Sequence, residues 1–136
     1  MMRHIKLILS IWATSIIYLF GGFDVSLNCL ITLMVADYIT GVSKAYYNSE
    51  LSSYKGIKGI VKKLNILTLV VVSNMIDNLL GSSGAIRTLM IYYICANEGL
   101  SILENLSVMN IIVPKWFKEK LEQVKQIGEN SNGSSS

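Results

Sequence analysis

The chain has a single histidine (His4), a single proline (Pro114) and two cysteines in 136 residues. A lone imidazole leaves no metal constellation to build and gives no support to Ser/His/Asp catalysis. Cys29 and Cys95 each sit inside an apolar stretch, where a cysteine behaves as a small hydrophobe and not as half of a disulfide or a metal site. The H-E-x-x-H, G-x-S-x-G and G-x-x-x-x-G-K-[ST] patterns are also missing, so no catalytic, cofactor-binding or metal-binding residue is expected. Charge is scarce, at 15% of residues. The net charge of +3 could point to nucleic acid, but the basic residues gather at the ends of apolar blocks, which argues for a lipid partner instead.

Those blocks dominate what is present. Apolar residues make up 51% of the chain and the mean hydropathy is +0.47. The distribution indicates one all-α integral membrane protein built of helical hairpins. A basic start, MMRHIK, leads into an apolar run from Leu7 to Phe20, broken by Gly21, Gly22 and Asp24. Val25 to Tyr47 is long enough for a second crossing at about 20 residues per bilayer. Asn48 to Lys63 is punctuated by Ser and Gly and carries Lys55, Lys58, Lys62 and Lys63, which reads as a solvated basic loop. Leu64 to Leu80 is a third block, and Ile86 to Leu106 follows the Gly81-Ser82-Ser83-Gly84 turn.

Polar residues inside these blocks are the candidates for function. Asp37 lies in the middle of LITLMVADYITGVSK, where a carboxylate costs roughly 2.5–3.5 kcal/mol, and helical spacing places Thr40, Gly41 and Lys44 on its face. Gly41 and Ala45 form a small-xxx-small pair that admits a second helix closely. Ser73, Asn74, Asp77 and Asn78 share an arc in the third block. In the fourth, Arg87, Asn97, Glu98, Ser101, Glu104 and Asn105 fill about a third of the helical circumference, opposite Leu89, Tyr92, Cys95, Leu103 and Leu106. Asp37, Thr40, Gly41, Lys44, Asn74, Asp77, Asn97, Glu98, Ser101, Glu104 and Asn105 are therefore the expected helix-packing or pore-facing residues. Beyond Pro114, Phe117, Leu121 and Val124 form the apolar stripe of a short amphipathic helix expected at the membrane interface.

The organisation that follows is a transmembrane helical domain over 1–113, an amphipathic helix over 114–128 and a flexible polar tail over 129–136. Arg3 and Lys6 precede the first crossing, four lysines fill the 48–63 loop and further lysines follow the last block, whereas the connections near Gly21 and Gly81 hold no lysine and at most Arg87. Four crossings with both termini cytoplasmic satisfy this pattern, and three crossings with the Glu98 segment on the surface are the alternative.

The segment DYITGVSKA at 37–45, then Ser52-Ser53 with Gly56, Gly59 and Lys62-Lys63, Asp77, NEGLSILENL at 97–106 and Pro114 together resemble the toxin secretion/phage lysis holin family of Gram-positive bacteria and their phages. The resemblance covers roughly residues 25 to 122. It implies a homo-oligomer in the bacterial cytoplasmic membrane that opens lesions for an endolysin or a large toxin, without necessary direct contact with that cargo. A small ion channel or transporter subunit, or an antiholin, is the alternative reading.

Overall fold

The computed structural model describes residues 1–129, so most of the polar tail lies outside the described residues. Five helices account for nearly all of it: α1 (Met2–Leu19), α2 (Val25–Tyr47), α3 (Ser53–Leu80), α4 (Ala85–Val108) and α5 (Lys115–Glu129). Local chemistry sets their ends. Asp24 caps α2 by accepting from the Leu27 amide at 3.0 Å, and Ser52 caps α3 by accepting from the Lys55 amide at 3.4 Å. Gly81 closes α3 in the left-handed conformation at φ 64°, where a side chain would be strained.

The α2 limits coincide with the second apolar block. The third does not start where expected. The Ser- and Lys-rich segment is no loop beyond Ser53: it forms the first turns of α3, and only the short connection after Tyr47 is non-helical. Gly56 and Gly59 do not break this helix because their bare backbone receives Tyr38 of α2. A Cβ on Gly56 would stand 3.3 Å from the Tyr38 hydroxyl, and one on Gly59 would stand 3.8 Å from its ring.

Helix α4 is the centre of the molecule and packs against α2, α3 and α5. Helices α2 and α4 run parallel. Asp24 and Arg87 meet near their starts, and Tyr47 and Asn110 meet beyond their ends. The core between them and α3 is an apolar layer of Leu27, Leu30, Met34, Val70, Ile91 and Ile94. Helix α1 touches only α3 and buries none of its residues.

Helix α5 turns back along α4 and covers the side that carries Leu89, Tyr93 and Gly99. Leu121 sits over Gly99, where an added Cβ would be 2.9 Å from its methyl carbon, and Gly128 sits against Tyr93, where a Cβ would be 2.8 Å from the backbone nitrogen. Gly99 thus admits the Leu121 side chain, and Gly128 lets the two backbones come close. Glu129 consequently lies beside Ile86 and Leu89, at the end of the bundle that carries the Gly81–Gly84 turn.

Candidate functional site: two charge clusters across an apolar layer

The first cluster joins the three central helices. Lys63 of α3 donates to Asp37 Oδ2 of α2 at 2.6 Å and to Glu98 Oε2 of α4 at 2.6 Å. All three side chains are removed from solvent: 18% exposed for Lys63, 12% for Asp37 and 8% for Glu98. Asn105 extends the network by donating to Asp37 Oδ1 at 3.0 Å and to Thr40 Oγ1 at 3.0 Å. Gly41, beside it, leaves room for the Asn105 amide, which would lie 3.7 Å from a Cβ there.

The second cluster closes the other end. Arg87 is 6% exposed and donates to Asp24 through both terminal nitrogens, at 2.8 and 3.1 Å, and to the carbonyls of Phe20 and Gly22. This fork ties the α1–α2 turn to the start of α4. Asp77 accepts from the amides of Ile86 at 3.0 Å and Arg87 at 2.8 Å and from the Ser82 hydroxyl. Gly84 has no side chain to cap α4, so a carboxylate from the preceding helix does it. Asn74 donates to the Leu19 carbonyl at 3.1 Å and anchors the end of α1. The Arg87 guanidinium beside Asp24 holds that carboxyl down to about 2.

The first cluster therefore sets one cation between two carboxylates, Lys63 with Asp37 and Glu98, whereas the second pairs Arg87 with Asp24 and holds Asp77 through backbone amides and the Ser82 hydroxyl. Eleven residues of α4 separate Arg87 from Glu98, about 16 Å along the axis, and the apolar layer fills that interval. Such an arrangement can hold charged side chains inside a low-dielectric bundle because each finds a partner within the same chain. Among the described residues no group of His, Cys, Asp and Glu could hold a metal ion.

The expected site residues divide accordingly. Asp37, Thr40, Glu98 and Asn105 come together, with Gly41 beside them, while Asn74 and Asp77 serve the opposite cluster. Lys44, Asn97 and Ser101 are half-buried and Glu104 is exposed, and none of the four is in an ion pair. Lys63 and Asp24 are not among the residues expected from the sequence to pack helices or face a pore, and Arg87 reads only as part of the α4 polar face. Lys63 read as one lysine of a solvated run, and its signal was helical spacing. It lies one turn beyond Gly59, which puts it on the side of α3 that Tyr38 lines.

By length and composition α2 and α3 can each cross a membrane. The profile of the bacteriophage holin family matches residues 14–126. The chain belongs to that family. Among relatives of this holin, an uncharacterised protein of Listeria monocytogenes is 45% identical over 101 residues, covering 74% of this chain and 72% of its own. An uncharacterised Clostridium perfringens protein is 39% identical over 108 residues, covering 79% and 82% respectively. A protein of Bacillus phage phi105 named "probable holin" is 34% identical over 108 residues, covering 79% of each chain. No solved structure matches this holin. Family membership and the two apolar helices mark it as a membrane protein of a non-enzymatic class.

Proposed function

We propose that this holin-family chain assembles with copies of itself in the bacterial cytoplasmic membrane and permeabilises it, releasing an endolysin or a large toxin. The observation that carries the reading is the internal pairing of charge. The three carboxylates held within the α2–α3–α4 bundle, Asp37, Asp77 and Glu98, are satisfied by the same chain, so a protomer can hold them in lipid without exposing them. The lysine-rich start of α3 and the basic residues of the α1 start favour a cytoplasmic position for that end of the bundle, with α1 to α4 as the crossings. The Gly21–Asp24 and Gly81–Gly84 turns then lie on the outer side.

Expression from an inducible promoter tests this, with a membrane-potential dye and release of a cytoplasmic marker enzyme followed together. Permeabilisation predicts loss of potential and enzyme release at the same time. A collapse of potential with the enzyme fully retained would favour a small ion channel, and neither event would refute the reading.

A further inference from the structure

Asp37, Asp77, Glu98 and Asn105, expected to line a pore, are turned inward in this protomer and hydrogen-bonded within it, which leaves open what faces water once the membrane is breached. Helix α5 is the strongest candidate. Seven of its fifteen residues are charged: Lys115, Lys118, Glu119, Lys120, Glu122, Lys125 and Glu129. Its apolar side, with Leu121 and Val124, is the half-buried side, and Gly99 and Gly128 let it pack closely on α4. The opposite side, bearing Glu119, Glu122, Gln123 and Gln126, is exposed along its whole length.

Packed in this way, α5 runs from the end of α4 back to the level of Leu89 and Tyr93, so its polar side lies at the same depth as the apolar core of the bundle. Lipid cannot solvate that side, because charged side chains in hydrocarbon are costly and, among the described residues, neither Glu119 nor Glu122 is in an ion pair. The remaining outer surface is the reverse: α1 exposes Ile5, Leu9 and Trp12, α2 exposes Val35 and Ile39, and α3 exposes Leu64. Helix α5 also leaves Trp116, Phe117 and Ile127 exposed, so its polar stripe interrupts an outer surface that carries these apolar side chains beside it.

We infer that α5 forms the water-facing wall of the permeabilised assembly, staying docked on α4 and turning Glu119, Glu122, Gln123 and Gln126 toward the lumen. The inference rests on the proposed permeabilising function and assigns its lining. Close docking is what permits it, since a helix this polar would otherwise leave the bundle for the membrane surface.

The test uses the full chain with Cys29 and Cys95 replaced by Ser. A Gly99→Cys/Leu121→Cys pair removes the leucine methyls that a new Cβ would strike and places two thiols across the α4–α5 contact. In membranes from expressing cells the disulfide should form. Leakage of the marker enzyme should be the same within about twofold before and after reduction by dithiothreitol. A separate Gln126→Cys variant should react with an impermeant maleimide added outside permeabilised cells at least tenfold faster than Leu9→Cys on α1. If no disulfide forms, α5 lies elsewhere in the membrane and the inference is overturned. Leakage that stops on oxidation and returns on reduction would equally overturn it, because α5 would then have to leave α4. An unreactive Gln126→Cys would do the same. If the disulfide and the labelling appear as expected but no enzyme is released in either redox state, the permeabilising function fails while the water-facing position of α5 stands.

Discussion

Replacing Lys63 should loosen the bundle far more than replacing either of its partners. Lys63→Met removes the one cation between Asp37 and Glu98 and leaves two carboxylates facing each other inside the α2–α3–α4 contact. Removing one member of a buried ion pair costs about 3–5 kcal/mol, and the 18% exposure of Lys63 argues for the lower end, about 3 kcal/mol. At 1.4 kcal/mol per tenfold, the population of locally opened protein should rise on the order of a hundredfold. Glu98→Gln has the opposite charge arithmetic. It leaves Lys63 and Asp37 as a neutral pair and keeps a hydrogen-bonding side chain, so it should cost no more than about 1 kcal/mol. Cys95 is a reporter one turn from Glu98 on the same helix and is partly buried. With Cys29 replaced by Ser, the rate of Cys95 alkylation in mild detergent reads opening of α4 directly. Lys63→Met labelled no faster than the parent, or Glu98→Gln labelled as fast as Lys63→Met, would refute the charge-balance account.

Gly21→Ala should be strongly destabilising, because the backbone there is left-handed at φ 79° and the new Cβ would lie 2.6 Å from Asn74 Oδ1 and 2.8 Å from the Arg87 side chain. The conformational part alone is about 1 kcal/mol, and a lowered midpoint in thermal aggregation of the purified protein checks the sum. The Asp24–Arg87 tie has a defined pH window. Its folded-state carboxyl sits at about 2, so its contribution is complete above an unfolded value of about 3.9 and is lost as pH falls through 2. Asp24→Asn should flatten stability across that interval, measured as thermal midpoint against pH, and an unchanged profile would remove the tie from the account. Glu98→Leu should accumulate normally in membranes, since it removes a costly charge while Asp37 still pairs with Lys63, and it should delay release of the marker enzyme; unchanged release kinetics at matched protein level would count against Glu98. For topology, a cysteine at Ser82 should be labelled from outside intact cells and one at Ser52 should not.

Much of the helical layout was legible because it rests on local pattern. The α2 block is bounded by Asp24, a capping side chain, and by the polar segment that begins at Asn48, and both signals are visible in the chain itself. The start of α3 was misread because Gly56 and Gly59 look like breaks until Tyr38 is seen lying on them. Lys63 was misread for a related reason. A lysine among lysines carries no mark of the two carboxylates that it meets 26 and 35 residues away in sequence. The wheel of α4 grouped Arg87, Glu98 and Asn105, all of them buried, although Ile91 and Ile94 lie on the same side and join the core. It could not say that the polar face would be satisfied inside the protomer, or that α5 would cover the side of Leu89, Tyr93 and Gly99. Arg87 and Asp24 are 63 residues apart and only the folded chain joins them.

The attachment of α1 gives the protomer an unusual plan. Its last turn is pinned by Asn74, and the Arg87 fork holds the turn that follows, but from Met2 onward the helix has no partner except a brief touch of α3. It is a boom on a fixed pivot, about 27 Å long at 1.5 Å per residue, beside a rigid mast of three helices. Ile5, Leu9, Trp12 and Tyr18 along it are exposed, so the boom offers its apolar length to whatever lies beside the mast.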